Sequence, residues 1–246
     1  MIDSSVKNSA QRLKEVLPRP IRNLAKRVLR RQRPAVWGNL RRQRPFSDYW
    51  GFERGLPVDR FYIESFLGRC AGDVRGRVLE VGDPRYTERF GGTRVTASDV
   101  VDIDAENEEA TIVADLAQAG SLPEGRFDCI IVTHALQYVD DPAAALANLT
   151  AALAERGTLL VTVPCVQRID PEAAVVDRWR FTPTGLEHLL GGESPGGDIE
   201  VAGYGNLLAS TASLLGLSAD ELRPRELEAN DPNFPLIACA RVRRRG

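Results

Sequence analysis

Acidic and glycine residues follow two short apolar segments in the first half of the chain. The first segment, residues 77–82, carries Glu80 and ends at Gly82, and the second, residues 94–98, is followed by Asp99. Glu80 and Asp99 are 19 residues apart. A similar spacing, about 20 residues, is typical of doubly wound nucleotide-binding folds, in which the downstream acid binds ribose hydroxyls. These residue types and their spacing predict a nucleoside-binding site.

Two more pairs of residues follow later apolar segments. Asp115 and Leu116 come after a short third segment, and Thr133 and His134 come after the most apolar segment of the chain. In open α/β sheets, ligands bind outside the carboxyl ends of the strands. We therefore expect the loop at Thr133 and His134 to lie at the ligand-binding edge.

An alternation of apolar strands and helices must position these residues. The sequence predicts strands over residues 77–82, 94–98, 111–113, 127–132, 158–163, 198–203 and 235–241. It predicts helices over residues 84–90, 142–155, 182–190 and 206–216, with Gly157 as the stop just past the end of the second helix. Such alternation indicates a parallel sheet covered by helices on both faces.

Composition excludes several classes of protein. The chain has 246 residues, 43% of them hydrophobic, which is enough for a full core. The four cysteines, at 70, 129, 165 and 239, are scattered without metal-ligand spacing, so we expect a reducing cytosol and no metal. No apolar run approaches the roughly 20 residues of a membrane span, and no secretory signal is present. The predicted location is cytoplasmic.

Charge divides the chain into a basic arm and an acidic body. Residues 1–45 hold 13 Lys and Arg but only 2 Asp and Glu, whereas the rest of the chain holds 19 Lys and Arg and 32 Asp and Glu. Residues 21–33 have the pattern of a short basic amphipathic helix. This helix either attaches the protein to an anionic membrane surface or a partner, or is a solvated arm on the acidic body. Because the body is acidic and has no aromatic platform motif, we do not expect the protein to bind nucleic acid.

Residues 46–75 are predicted to form a lid or leading helix over the core domain. Pro57 can occupy the first turn of a helix, and aromatic residues supply an apolar face. Arg60 and Tyr62 are polar members that can face a substrate, although packing alone explains the aromatic residues equally well. The third predicted segment, residues 76–246, is the main domain.

Several motifs, taken in their order along the chain, resemble the class I S-adenosylmethionine-dependent methyltransferase family in its type-11 form. The resemblance covers residues 76–165 and is carried by VLEVG, TASD, ADL, FDCIIVTHALQYVDDPAAALANLTAAL and ERGTLLVTVP. It implies a Rossmann-like α/β fold, with a seven-stranded, mostly parallel sheet and an antiparallel last strand. The implied cofactor is S-adenosylmethionine. The leading RGLPVDRFYIESFL and the trailing WRFT are similar to small bacterial methyltransferases encoded beside glycosyltransferases, which implies a glycan or sugar-linked substrate.

The resemblance gives roles in cofactor binding to the glycine and to one of three acids. Gly82 would let the backbone approach the amino-acid end of the cofactor. Asp99 would accept both ribose hydroxyls. Asp102 and Asp104 compete for that role, and Asp99 is preferred because it ends the predicted strand.

The other candidate cofactor-binding residues have more than one interpretation. Asp115 and Leu116 resemble the pair that holds adenine, but Asp115 can instead cap the following turn. Glu80 either contacts the cofactor or orders its own loop. Thr133 belongs to the loop at the carboxyl ends of the strands, and Tyr86 can contact the cofactor through its ring or hydroxyl.

The first loop departs from the family pattern. After the acid, the family usually has two or three glycines, whereas this chain has Gly82 followed by Asp83 and Pro84. Pro84 removes a backbone donor, and Asp83 adds negative charge. This departure supports an alternative hypothesis, a degenerate, non-enzymatic module that serves a glycosyltransferase as a partner. A dinucleotide oxidoreductase is less favoured because the G-x-G-x-x-G fingerprint is absent.

On the acceptor side, His134 and Trp179 are the main candidates. His134 is a general base, a wall of the cofactor pocket, or a structural histidine; its ordinary pKa of about 6.5 suits deprotonation of a hydroxyl. Trp179 can stack on a sugar ring, or it can simply pack. The predicted reaction is methylation of a hydroxyl on a sugar, glycan or small molecule.

Overall fold

The computed structural model describes residues 18, 20–21, 38–173, 176–193 and 198–245. Contacts divide the chain into two units, Met1–Gln43 and Arg44–Gly246. In the first unit the structure describes a short 3₁₀ turn, Gly38–Leu40. Apart from Ile21, the amphipathic helix predicted for residues 21–33 lies outside the described residues. The basic arm therefore stays a prediction from the sequence.

One sheet forms the centre of the second unit. Its strands are β1 (Gly76–Val81), β2 (Val95–Asp102), β3 (Ile112–Val113), β4 (Phe127–Thr133), β5 (Leu153–Pro164), β6 (Asp198–Tyr204) and β7 (Ile237–Arg243). Their order is β3-β2-β1-β4-β5-β7-β6. Strands β1 to β5 are parallel, and β7 is antiparallel to β5 and β6. The predicted seven-stranded sheet with an antiparallel last strand is confirmed.

Helices cover both faces of this sheet. Those in the described part of the chain are α1 (Val58–Arg69), α2 (Arg85–Gly91), α3 (Pro142–Ala152), α4 (Pro183–Glu193), α5 (Leu207–Leu214) and α6 (Pro224–Glu228). Helices α3 and α4 contribute to one apolar cluster, and α1, α2, α5 and α6 to the other. The predicted two-sided sheet is thus observed.

Strand β4 shows why the sequence specifies a central strand. Ile130 and Val132 belong to one apolar cluster, whereas Cys129 and Ile131 belong to the other. All four side chains are completely buried. A strand covered on both faces needs a continuous apolar run rather than an alternating one.

Helix α1 is part of the core of the second unit. Val58, Ile63 and Leu67 are completely buried in one of the two clusters. Pro57 immediately precedes the helix, where its fixed backbone angle and missing N–H are tolerated. The segment that we expected to be a lid or leading helix therefore contains a helix packed against the sheet.

Strand β2 is longer than predicted, and this moves the candidate acid. The prediction that the strand ends before Asp99 is wrong, because it continues through the buried Val100 and Val101 to Asp102. Val100 and Val101 pair with Glu80 and Val81 of β1. Two further apolar residues extend the pairing beyond the acid from which we inferred the end of the strand.

Helix α3 begins as predicted but ends earlier. The Asp141 carboxylate accepts hydrogen bonds from the backbone N–H groups of Ala143 and Ala144, at 3.0 and 3.1 Å, and so caps the helix. The predicted stop at Gly157 is wrong because β5 already starts at Leu153. A Cβ at Gly157 would lie 2.9 Å from the Phe127 carbonyl oxygen, so glycine permits close strand approach there.

Candidate active site

Two neighbouring cavities lie at the carboxyl ends of the strands. The first has a volume of about 400 Å³ and is lined by residues that follow β1, β2, β3 and β4. The second has a volume of about 370 Å³ and lies between the loop after β4, helix α1 and residues 49–52. Thr133, His134 and Tyr138 line both. The two cavities therefore share one wall.

Gly82 lines the first cavity in a conformation that requires glycine. Its φ is +90°, a region that L side chains rarely adopt. Its carbonyl oxygen accepts a hydrogen bond of 2.7 Å from the Asn107 amide. The same Asn107 nitrogen donates to the Asp102 carboxylate at 2.7 Å. Asn107 therefore fixes Gly82 and Asp102 relative to each other.

The acid that reaches the first cavity is Asp102, not Asp99. Asp99 lies three residues before the end of β2, where Arg77 donates to its carboxylate at 2.6 and 3.2 Å. Thr111 also donates to it, at 3.3 Å. The role predicted for Asp99 therefore has to be corrected. Its carboxylate neutralises an arginine within the sheet, and the competing Asp102 lies at the strand end.

Asp115 and Leu116 both line the first cavity. The Asp115 carboxylate accepts a 2.9 Å hydrogen bond from the Ala117 N–H, so it also orders the turn that follows. The Asn148 amide of α3 donates to the Leu116 carbonyl at 2.8 Å. This bond ties the loop that carries both residues to helix α3. The second carboxylate oxygen of Asp115 makes no hydrogen bond within the described residues.

Glu80 does not line either cavity, because α2 occupies its carboxylate. One oxygen accepts from the Tyr86 N–H at 3.1 Å, and the other accepts from the Thr87 N–H and hydroxyl at 2.7 Å each. Burial raises the pKa of Glu80 to about 7, against the opposing effect of these hydrogen bonds. Of the two predicted roles, the geometry supports ordering of the loop.

Tyr86 is also absent from both cavities. Its ring stacks on Phe90 with a centroid distance of 6.2 Å, and its hydroxyl accepts a 3.1 Å hydrogen bond from Arg60. The predicted cofactor contact is therefore replaced by packing between α1 and α2. Arg60 itself lines the second cavity, and its predicted contact with a substrate stays a prediction.

The other two predicted substrate residues, Tyr62 and Trp179, lie elsewhere. Tyr62 is buried, and its hydroxyl donates to the Leu227 carbonyl at 2.8 Å. Trp179 donates its indole N–H to the Val139 carbonyl at 2.8 Å and lines neither of the two cavities. Arg178, its neighbour, lines the first cavity and forms a 2.7 Å ion pair with Asp140.

His134 occupies the common wall of the two cavities in a strained conformation. Its φ is +48°, which is uncommon outside glycine and often found at functional sites. The side chain is 8% exposed, and its Nδ1 is 3.7 Å from a carboxylate oxygen of Asp59. Burial lowers the pKa of His134 to about 4, although Asp59 raises it. The imidazole is therefore neutral near pH 7.

Three buried polar atoms of residues that line the second cavity lack a hydrogen-bond partner within the described residues. They are Nε2 of His134, Oε1 of Gln137 and Nε1 of Trp50. Trp50 also has a positive φ, +53°. Buried polar groups are normally paired, so unpaired atoms that share one cavity indicate a place for a polar ligand.

Sequence reasoning missed four residues of this site or ranked them too low. Asp102 is one of three acids that compete in the sequence, and the observed length of β2 brings it, rather than Asp99, to the cavity. Asp59, Gln137 and Trp50 carry no motif, and chain segments far apart in sequence bring them to the second cavity. Among the described residues no group of three or more possible metal ligands occurs. Nor does any described helix have the length and apolarity to cross a membrane.

Comparison with solved structures places the fold among methyltransferases. An S-adenosylmethionine-dependent methyltransferase from Archaeoglobus fulgidus is 16% identical, with a TM-score of 0.51; the match covers 80% of this chain and 100% of the Archaeoglobus chain. One from Mesorhizobium loti is 18% identical with a TM-score of 0.51, covering 76% and 100%. The N-methyltransferase NodS from Bradyrhizobium japonicum, crystallised with S-adenosyl-L-homocysteine, is 16% identical with a TM-score of 0.51, covering 81% and 93%.

Sequence comparison gives the family. No curated protein sequence matches the chain. A family model described as a methyltransferase domain matches residues 40–189. S-adenosylmethionine is the cofactor that this match indicates, as the resemblance implied, whereas the type-11 form and the link to glycans stay predictions. Because the matched segment is more than half of the chain, the protein belongs to the methyltransferase domain family.

Proposed function

We propose that the protein transfers a methyl group from S-adenosylmethionine to a hydroxyl of a sugar, glycan or other small molecule. The family match and the fold support methyl transfer. The observation that carries the site assignment is the pair of cavities that share Thr133 and His134. The first cavity would hold the cofactor, and the second would hold the acceptor.

The residues of the first cavity suit S-adenosylmethionine. Its volume of about 400 Å³ lies within the range of small-molecule sites. A Cβ added at Gly82 would meet no atom within 4 Å, so the space beside the backbone is open. Asp102 would accept ribose hydroxyls, and Asp115 with Leu116 would hold adenine. The acidic lining also complements a cationic sulfonium.

His134 would act as the general base, at Nε2. When bound, S-adenosylmethionine supplies a sulfonium methyl group, whose transfer to an acceptor oxygen leaves S-adenosylhomocysteine and releases the hydroxyl proton. The Asp59 carboxylate faces Nδ1 and favours the tautomer with the proton on that nitrogen. The lone pair of Nε2, which has no partner in the described part of the chain, is then free to accept a hydrogen bond from the acceptor hydroxyl. Because burial lowers the pKa of His134 to about 4, proton transfer to Nε2 would depend on Asp59, which raises that pKa.

The alternative, a degenerate module without activity, draws support from the glycine-poor first loop. In the structure, Gly82 lines the first cavity, but Asp83 and Pro84 do not. Asp83 and Pro84, which stand where the family usually has glycines, therefore leave the space beside Gly82 open. This observation favours retention of cofactor binding over the degenerate module.

Calorimetric titration with S-adenosylmethionine, and separately with NAD, tests the cofactor assignment. We expect saturable heat with S-adenosylmethionine and with its product S-adenosylhomocysteine, and none with NAD. Absence of heat with both sulfur compounds would support the degenerate module and contradict the proposed function. Heat with NAD alone would instead indicate an oxidoreductase.

A further inference from the structure

We propose that the second cavity selects an acceptor with hydroxyl groups and a protonated amine, as in an amino sugar, and rejects anionic acceptors. This inference rests on the proposed function, because it assigns the chemical class of the acceptor at the same site. The excluded class comprises sugar phosphates, nucleotide sugars and uronic acids. Buried unpaired atoms, charge and aromatic surface each support the assignment.

The unpaired atoms indicate hydroxyl groups. His134 is 8% exposed and Gln137 is 1% exposed, and each carries a buried acceptor atom without a partner in the described residues. Nε1 of Trp50 is a buried donor that also lacks a partner in the described residues. A hydroxyl group both donates and accepts, so neighbouring hydroxyls can satisfy two acceptors and a donor around one cavity.

The charges around the cavity favour a cation. Asp59, Asp170 and Glu172 line it, and the guanidinium of Arg60 is the one cationic side chain in the described lining, since the His134 imidazole is neutral. Arg60 donates to the Tyr86 hydroxyl. Burial opposes the charge on its guanidinium, but Tyr86 and Asp59 together raise its pKa. Arg60 and Asp59 therefore offset each other at the inner end of the cavity.

The outer end keeps a negative charge. Asp170 accepts hydrogen bonds from the Glu172 N–H at 3.0 Å and from the Tyr138 hydroxyl at 3.5 Å, but no cation pairs with it in the described residues. None of the ion pairs among the described residues involves the Glu172 carboxylate. Two cations lie nearby: Arg180 is bound by Asp177 at 3.0 Å, and Arg168 lies over the Trp50 ring, 4.0 Å from its centre. An ammonium group would be attracted here, and a phosphate repelled.

Aromatic side chains complete the cavity. Tyr49, Trp50, Phe52 and Tyr138 contribute to its lining. The Arg168 guanidinium, 4.0 Å from the centre of the Trp50 ring, covers one face of that ring, whereas Tyr49 is 62% exposed. Exposed aromatic faces stack on the apolar faces of sugar rings and attract ammonium groups. Both properties match a hydroxylated amine.

Binding of three matched sugars tests the inference. Glucosamine, glucose and glucose 6-phosphate would be titrated into the protein by calorimetry, with and without saturating S-adenosylhomocysteine. We expect glucosamine to bind most tightly and glucose 6-phosphate most weakly. Glu172→Gln should weaken glucosamine about threefold to fivefold and leave glucose unchanged, since one exposed ion pair contributes at most about a factor of five. Glu155→Gln, at an exposed position near the start of β5, is the matched control.

Each outcome either supports or overturns the inference. Equal affinity for the three sugars, tightest binding of glucose 6-phosphate, or no binding of glucosamine would overturn it. So would a Glu172→Gln variant that binds glucosamine like the wild type. The titration with S-adenosylhomocysteine alone separates the two proposals: if that compound binds while charge selection is absent, the proposed function stands and the acceptor class fails.

Discussion

His134 combines three properties that a surface histidine lacks. It is buried, has a positive φ, and lies between two cavities with Nδ1 facing Asp59. The sequence identified His134 as a candidate, because it follows the most apolar strand. Its strain and burial could not be predicted, since both depend on how β4, β5 and α1 meet. Asp59 carried no signal in the sequence beyond a position near the start of a helix.

The pKa of His134 makes stability depend on pH. Its folded-state pKa of about 4 lies below the unfolded value of about 6.5. Between these values the unfolded chain binds a proton that the folded protein excludes, so the free energy of unfolding from this group rises with pH from about 4 to 6.5. His134→Asn, which tolerates a positive φ, should remove that rise.

Urea unfolding at pH 5 and pH 7.5 measures this effect. His188→Asn is the matched control, because His188 is exposed on α4. A pH dependence that stays unchanged in His134→Asn would contradict the neutral, buried state assigned to this imidazole.

Gly82 tests the backbone requirement of the first cavity. Gly82→Ala adds a Cβ that meets no neighbour within 4 Å, so its cost comes from the φ of +90° alone. We expect a loss of about 1–2 kcal/mol in the free energy of unfolding and weaker binding of S-adenosylmethionine. Gly72→Ala is the control, since its Cβ also meets no neighbour and its φ is not positive. Equal stability of the two variants would show that no strain is stored at Gly82.

At the scale of elements, the sequence predicted where most strands and helices lie but not where they end. Asp99 suggested a strand end because it follows an apolar run; Arg77 from β1 neutralises it, and the strand continues. Similarly, Gly157 suggested a helix stop but permits close strand approach. In both cases a residue type that is common in loops lies inside a strand because of the neighbouring strand. Arg77 of β1 neutralises the charge of Asp99, and Phe127 of β4 comes so close to Gly157 that a side chain would not fit.

Glu80 is predicted to stabilise α2. Glu80→Ala would leave the backbone N–H groups of Tyr86 and Thr87 without an acceptor inside the protein. Each unpaired buried group costs about 1–3 kcal/mol, so the free energy of unfolding should fall by at least about 2 kcal/mol. Urea unfolding at neutral pH would measure the loss, with Glu88→Ala on the exposed side of the same helix as the control. A change no larger than that of the control would exclude this role.

At the scale of the whole molecule, the family resemblance predicted the seven-stranded sheet with its antiparallel last strand, whereas nothing in the sequence predicted the second cavity. That cavity combines Tyr49 and Trp50 from the start of the second unit with Gln167 and Asp170 from the loop after β5. More than 100 residues separate these pairs, and no local pattern links them. The acceptor site therefore required the structure.

The basic arm remains a proposal for the whole chain. We expect attachment to an anionic membrane surface, or to a glycosyltransferase partner, through residues 1–45, with a cytoplasmic location peripheral to the membrane. The full-length protein should sediment with phosphatidylglycerol vesicles and be released by added salt, because clustered arginines attract anionic lipid. Neutral phosphatidylcholine vesicles are the control. Equal sedimentation with both kinds of vesicle would argue for a solvated arm.

The assignment of the cofactor site is tested most directly by comparing two acids on one strand. Asp102 lines the first cavity, whereas Asp99 is held by Arg77 away from it. Calorimetric titration with S-adenosylhomocysteine would compare Asp102→Asn with Asp99→Asn. We predict that Asp102→Asn weakens binding about tenfold to a hundredfold, since hydrogen bonds to charged groups contribute roughly 1.5–3 kcal/mol, and that Asp99→Asn binds like the wild type. Weakened binding in Asp99→Asn together with normal binding in Asp102→Asn would contradict the assigned site.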